Sequence, residues 1–229
     1  MKKLQTVLGA GMILLSVSVF GQTGGSVSQK KPVTRTTETH FDILLNVAMT
    51  NLNYGKSNSA LADYKKPSAG LQAGFSFQAG ITPGFSMVSE LYYIKEGGSL
   101  NANNPITAGK TSFNIGALEL PLLARFHFGR FYVNAGPSIA YNLSASVKTD
   151  GVSVSIPFKN SGQSFKRWDA GIQMGGGYEF QIKQKRVAVD VRYAYGLTNI
   201  SYGQEMYTRS LVVSLRCVAP WKTNPLGKK

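Results

Sequence analysis

Serine, histidine and carboxylate side chains are the residues from which this sequence could build catalytic chemistry. A nucleophilic serine needs a base within hydrogen-bonding reach, and the chain offers two histidines, His40 and His127. The sequence places neither histidine beside a distinctive serine. We therefore expect His127 to have a solvated or hydrogen-bonding role, and we expect neither histidine to be catalytic.

Charged residues of both signs share one face of segments in which polar and apolar residues alternate. The carboxylates on this face, which could in principle form acid–base pairs, are Glu90, Glu119, Asp169, Glu179 and Asp190. The arginines predicted to lie on the same face are Arg125, Arg167, Arg192 and Arg216. Because opposite charges on a shared face favour ion pairing, we predict a structural charge network in place of a catalytic pair. Its predicted members are Glu90, Glu119, Arg125, Asp169, Asp190, Arg192 and Arg216.

Metal and cofactor sites have no recognisable pattern in this sequence. The single cysteine, Cys217, excludes an internal disulfide and a cysteine-based metal site. Gly175-Gly176-Gly177 resembles a glycine-rich loop, but no helix follows whose N-terminus could bind a phosphate. We expect these glycines to relieve crowding or curvature in a strand. The sequence predicts no metal, no cofactor and no enzymatic activity.

The chain termini have the composition of targeting and flanking segments. Lys2 and Lys3 precede a short apolar run that ends near Gly21, so we predict a signal peptide over residues 1–21. Residues 22–39, rich in Thr, Ser, Gln and Gly, are predicted to be a flexible periplasmic leader. Residues 220–229 are predicted to be a basic C-terminal tail. Although the net charge is +14, export and the scattered positions of the basic residues argue against a nucleic-acid partner.

Eight segments show the period-two alternation of half-buried strands. They cover residues 41–52, 68–80, 84–96, 113–128, 131–145, 165–182, 185–198 and 207–218. An even number of strands, each near or above the ~9–11 residues needed to cross a bilayer, is typical of bacterial outer-membrane barrels.

The connections between these segments alternate in length. Those at 81–84, 129–130 and 183–184 are short, whereas those near 53–67, 97–112, 144–164 and 199–206 are long and polar. Membrane barrels have short periplasmic turns and long extracellular loops. The pattern therefore predicts that both termini are periplasmic.

The turn at Gly129-Arg130 allows the register of one hairpin to be predicted. On one face every predicted cross-strand pair is apolar: Phe128–Phe131, Phe126–Val133, Leu120–Ile139 and Leu118–Tyr141. On the other face the predicted pairs are Arg125–Asn134, Glu119–Ala140 and Ala117–Asn142. Register determines the side on which each residue lies, so the agreement of turn and pattern supports this hairpin.

The apolar face is predicted to contact lipid and the polar face to line the interior. Opposite charges are costly in a dry core, and aromatic residues fall near both ends of the apolar face, as in the girdles of membrane barrels. Representatives are Phe128 and Phe131 at the turn end, and Tyr93 and Trp168 at the loop end. We predict an all-β fold, an eight-stranded antiparallel up-and-down transmembrane β-barrel over residues 40–219.

Several motifs resemble the PorT-like outer-membrane β-barrel family of Bacteroidota. They are the runs at 89–98 (SELYYIKEGG), 118–123 (LELPLL), 136–137 (GP), 175–180 (GGGYEF) and 192–200 (RYAYGLTNI). The resemblance spans about residues 41–218 and implies a barrel in the outer membrane of a Gram-negative bacterium of the Bacteroidota. The family's name-giving member assists a protein-secretion system.

The functional expectation is a small outer-membrane barrel with a structural or binding role through its extracellular loops. Its lumen is expected to be closed by the charge network. The alternatives are an accessory factor of a protein-secretion system, a narrow channel and, last, a lipid-modifying enzyme. The expected partners are outer-membrane lipid and a protein of the cell envelope.

Overall fold

The alternating segments form β-strands throughout the part of the chain described by a computed structural model, which covers residues 39–105, 107–162, 164–182 and 185–218. The elements are β1 (His40–Tyr54), a 3-10 helix (Lys56–Tyr64), β2 (Lys65–Lys66), β3 (Ser68–Thr82), β4 (Phe85–Leu100), β5 (Thr111–Phe128), β6 (Phe131–Thr149), β7 (Val152–Ser155), β8 (Trp168–Ile182), β9 (Lys185–Gly196) and β10 (Met206–Val218). The predicted signal peptide, the predicted leader apart from Thr39, and the predicted tail lie outside the described residues.

Eight long strands close into an antiparallel barrel. Around the barrel the order is β1, β10, β9, β8, β6, β5, β4 and β3, and β3 pairs again with β1. The closing pair of first and last strands joins Asn46–Tyr54 of β1 to Met206–Ser214 of β10. The predicted fold class is therefore confirmed. Among the described residues, no helix has the length and apolar character needed to cross a membrane.

The β5–β6 hairpin has the predicted register. Phe128 lies opposite Phe131, Leu120 opposite Ile139, and Arg125 opposite Asn134. Gly129, with φ of 63°, takes the left-handed conformation that a two-residue hairpin turn requires. A register shift between Gly116 and Ala117 occurs only toward the loop end.

Side-chain exposure alternates along the strands with apolar residues outside and polar residues inside. In β1, Ile43 and Leu45 are 76% and 73% exposed, whereas Asp42, Leu44 and Asn46, which alternate with them, are buried. The barrel thus has an apolar exterior and a polar lumen, which is the inverse of a soluble barrel. This arrangement places the charged residues together in the interior.

The loop end contains regular secondary structure where the sequence predicts loops. The predicted loop at 53–67 holds the 3-10 helix and β2, and β6 continues to Thr149 and turns back into β7. The signal for this second hairpin is Asp150-Gly151, because both residues have positive φ, as a type I′ hairpin turn requires. The strand predicted at 165–182 begins only at Trp168, since Phe165 forms just an isolated bridge to Ser201.

Candidate functional site

Four buried charged residues form a compact ion cluster in the middle of the lumen. Glu90 of β4 reaches across the barrel to Arg192 of β9, with 2.7 Å between Arg192 Nη1 and Glu90 Oε2. Asp190 Oδ1 lies 3.0 Å from Arg192 Nε, and Asp190 Oδ2 lies 3.3 Å from Arg216 Nη2. Glu90 also lies 3.9 Å from Arg216. All four side chains are at most 3% exposed, so the two positive and two negative charges balance one another away from solvent.

Two glycines of β8 provide the space that this cluster occupies. Gly175 lies opposite Arg192 and Gly177 opposite Asp190 in the β8–β9 ladder. A Cβ atom at Gly175 would come 2.6 Å from Arg192 Cγ, and one at Gly177 would come 2.3 Å from the ring of Tyr132. The glycine run therefore relieves crowding against side chains of the lumen.

The other predicted members of the charge network lie at different heights and bind neutral groups. Arg125 donates to Gln78 Oε1 at 2.8 Å and stacks over the ring of Tyr132. Glu119 accepts hydrogen bonds from the Tyr92 hydroxyl at 2.9 Å and from Gln173 at 2.8 Å. Asp169 accepts from the hydroxyls of Thr198 and Thr208. Strand alternation places all seven side chains on the inward face. Their positions along the barrel axis determine which of them are in contact.

Arg167 does not share the inward face, and that prediction is wrong. It lies just before β8, is exposed, and stacks over the ring of Phe158 with 4.3 Å to the ring centroid. Its Nη1 donates to the Asn142 carbonyl at 3.2 Å. Because β8 begins only at Trp168, the alternation cannot be extended back to Arg167. Glu179 is half-buried near the turn end, where its backbone N–H donates to the Arg130 carbonyl.

A small acidic cavity lies beside Glu119 and Asp169 and has Glu96 in its wall. Its volume of about 20 Å³ is close to that of one water molecule. Glu96 is not among the residues predicted from the sequence to form the charge network, although it lies on the same inward face of β4 as Glu90. The described residues include no group of three or more His, Cys, Asp or Glu side chains arranged to hold a metal ion.

One histidine lies beside a serine, a neighbour that the sequence did not indicate, and has the hydrogen-bonding role expected for it. His127 Nε2 is 2.9 Å from Ser86 Oγ, because β4 and β5 are neighbouring strands whose ladder pairs Ser86 with Arg125. Ser86 is only 3% exposed, which leaves no room for a substrate at its hydroxyl. The other histidine, His40, is the first residue of β1, and its Nε2 lies 3.3 Å from Asp42. Both contacts lie at the turn end of the barrel.

An apolar cluster fills the barrel above the ion cluster, toward the loop end. The 3-10 helix inserts Leu61 into it, and Leu61 is only 3% exposed. The other buried members are Leu52, Tyr54, Leu100, Ile115, Ala145, Phe165, Ile200 and Met206. The lumen is therefore occupied by two successive layers, one ionic and one apolar.

Hydrogen bonds at the loop end connect the first and last loops. Gly55 N donates to the Glu205 carbonyl at 2.9 Å, and the Glu205 carboxylate accepts from the hydroxyls of Tyr207 at 2.9 Å and Ser57 at 3.2 Å. The Tyr207 hydroxyl, with the backbone N–H of Ser57, holds the pKa of Glu205 below its usual range. The Glu205 carboxylate thus connects the last loop to Ser57 of the first loop.

The loops near 97–112, 144–164 and 199–206 border a cavity of about 460 Å³. Its apolar lining includes Phe113, Val147, Ile156, Pro157, Phe165 and Met206. Hydroxyl and amide groups, among them Thr107, Ser155, Ser201 and Gln204, complete the wall. Mostly apolar walls, a few polar groups and a volume in the range of ~300–1,000 Å³ are typical of small-molecule sites.

We expect the protein to show no stable, large conductance in planar lipid bilayers. An eight-stranded barrel is only about wide enough for side chains to fill, and here the ionic and apolar layers occupy that space. The control is an established porin measured at the same protein density. A reproducible open pore in the unmutated protein would show that water passes both layers.

Comparison with known proteins identifies the family. Solved structures with a similar chain path include Neisserial surface protein A (14% identity, 78% of this chain and 97% of that chain covered, TM-score 0.47). Others are Ail of Yersinia pestis (11% identity, 80% and 99% covered, TM-score 0.44) and OprG from Pseudomonas aeruginosa (13% identity, 80% and 95% covered, TM-score 0.39). No curated protein matches the sequence. The family model described as "Outer membrane protein beta-barrel domain" matches residues 27–202, and the chain therefore belongs to the outer-membrane protein β-barrel domain family.

Proposed function

We propose that this outer-membrane barrel is closed to solutes and acts by binding at its loop end. The observation that carries the proposal is the contrast between the two regions. The lumen is filled by the ion cluster and the apolar cluster, whereas the loops enclose an accessible cavity of about 460 Å³. A ligand would therefore have no path through the filled lumen but could bind in the cavity at the loop end.

The lining of the loop cavity favours a small amphipathic ligand. Its apolar part would contact Phe113, Phe165 and Met206, and its polar group would bond to Ser155 or Gln204. Among the described residues, this lining includes no carboxylate and no basic side chain. A charged ligand would therefore lose hydration without gaining an ion pair.

The loop-cavity site can be tested with a neutral apolar dye, N-phenyl-1-naphthylamine, and protein in amphipol. In Ser155→Trp the added indole should fill the cavity and weaken dye binding roughly tenfold or more, since it displaces apolar contacts on the order of 1.5–3 kcal/mol. Ser153→Trp is the matched control, because Ser153 lies in the same short strand but does not line the cavity. Equal dye binding by both variants and the unmutated protein would disprove a site in this cavity.

The orientation and origin of the protein belong to the same proposal. The short turns at 83–84 and 129–130 and the long loops opposite them support periplasmic termini and extracellular loops. The motifs at 89–98 and 192–200 support a PorT-like protein from the Bacteroidota, exported by a signal peptide over residues 1–21. On this view the protein is not an enzyme, and the histidine and carboxylate side chains serve structure.

The same motifs favour a second candidate, an accessory factor of a protein-secretion system. In that case the loop end would contact another envelope protein. Site-specific photocrosslinking from Val154, which is 57% exposed on the β6–β7 hairpin, would trap such a partner in intact cells. The same crosslinker at Phe128, on the exterior at the turn end, is the control.

A further inference from the structure

A groove runs along the outer surface of the barrel where the first and last strands meet. Pro67 interrupts the chain between β2 and β3, so that β3 pairs with β1 only up to Thr50. Proline has no N–H to continue the ladder, and β2 pairs instead with β4. The edge of β1 beyond Thr50 is therefore not covered by β3, which opens the groove.

The lower part of the groove is apolar. It has a volume of about 280 Å³ and is lined by Val47 and Met49 of β1, and by Leu211 and Val213 of β10. These residues form two successive cross-strand pairs on the outer face, Val47–Val213 and Met49–Leu211. Their side chains are 42–60% exposed on a surface that faces lipid. The dimensions and chemistry suit an acyl chain.

The upper part of the groove is basic and aromatic. It has a volume of about 460 Å³, shares Met49, Pro67 and Leu211 with the lower part, and adds Lys65 and Arg209. Arg209 lies opposite Asn51, one outward pair above Met49–Leu211, which is about 7 Å farther along the strands. The groove thus changes from apolar to cationic over the distance between a lipid's acyl chains and its headgroup.

Both cations in the upper groove are held in place by neutral groups. The Arg209 guanidinium lies 3.4 Å from the centroid of the Tyr195 ring, and its Nη1 donates to the carbonyls of Gly196 at 2.7 Å and Thr208 at 2.6 Å. Lys65 Nζ donates to Asn53 Oδ1 at 3.0 Å. Among the described residues, neither forms an ion pair with a carboxylate. Two fixed positive charges therefore face the groove, with no carboxylate of the described residues within ion-pair distance of either.

We propose that this groove binds a phosphate-bearing membrane lipid, with its phosphate between Lys65 and Arg209 and an acyl chain along Met49 and Leu211. Arginine stacked on an aromatic ring presents its remaining N–H groups in a fixed direction, which favours phosphate oxygens. Aromatic and basic residues also mark the headgroup level of membrane proteins. This lipid site lies on the barrel wall and is separate from the loop cavity.

Native mass spectrometry of the purified, folded protein in an uncharged detergent can test the lipid site. The probe is bisphosphorylated lipid A, and phosphatidylcholine serves as the zwitterionic comparison. The double variant Lys65→Gln/Arg209→Gln should bind lipid A roughly 10- to 30-fold more weakly, from about 1 kcal/mol for each basic residue near a lipid headgroup. Ala69→Trp, which fills the apolar part while keeping both charges, should also weaken binding.

The matched control is Lys110→Gln/Lys148→Gln, which removes the same charge from the residue before β5 and from β6, on the opposite side of the barrel. It should leave lipid A binding unchanged. Equal losses of lipid A binding in the two double variants would attribute the effect to overall charge and would disprove the site. Unchanged lipid A binding by Lys65→Gln/Arg209→Gln would also disprove it. Displacement of lipid A by millimolar inorganic phosphate would overturn the acyl-chain contribution. Because purified protein is used, neither the orientation nor the loop ligand affects the result.

Discussion

Arg192→Ala should destabilise the folded barrel by about 3–5 kcal/mol, the cost of removing one partner from a buried ion cluster. Without Arg192, the carboxylates of Glu90 and Asp190 would share Arg216 alone, at 3.9 and 3.3 Å. The two carboxylates would then be close together with almost no exposure to solvent, and their repulsion would be strongly unfavourable. The measurement is equilibrium urea unfolding of the protein in lipid vesicles.

Two further variants distinguish loss of the ion cluster from loss of arginine in general. Arg167→Ala removes an exposed arginine and should cost under about 1 kcal/mol. The double variant Glu90→Gln/Arg192→Gln removes both charges of the 2.7 Å pair and should be less destabilised than the sum of its single variants. Additive effects, or a small effect of Arg192→Ala, would show that the cluster does not act as a unit.

Leu120→Arg should reduce the free energy of unfolding by roughly 2–4 kcal/mol, the cost of a lipid-facing arginine near the bilayer midplane. Leu120 lies midway along β5, and its side chain is 44% exposed on the apolar outer face. The variant should also fold more slowly into vesicles. Urea unfolding and the shift between unheated and heated samples on detergent gels measure both effects.

Leu197→Arg is the depth control for this substitution. Leu197 follows β9 at the loop end and is 54% exposed, so that an arginine there can reach the interface. Near the interface the cost should fall to about 0–1 kcal/mol. Similar losses at Leu120 and Leu197 would place the membrane elsewhere along the strands.

The sequence by itself determined which face of each strand is buried. Alternation at period two puts Asp190 and Arg192 on one side and Val191 on the other in any register that keeps the strand paired. The two-residue turn at Gly129-Arg130 further specified every pair of its hairpin as far as Leu118–Tyr141. These features are local, because they depend only on neighbouring residues and on the geometry of one turn.

The contacts between residues of non-neighbouring strands depend on how the barrel closes. Glu90 and Arg192 are 102 positions apart in the sequence and meet across the lumen. Glu119 and Asp169 also face the lumen, but they lie beside a small cavity at another level of the barrel. Alternation specifies the side of a strand but not the relative height of strands that are not neighbours. Likewise, Leu61 enters the barrel, and the groove beside Pro67 opens, only because of how β1, β3 and β10 meet. Those contacts depend on the stagger that closes the barrel, which is a property of all eight strands together.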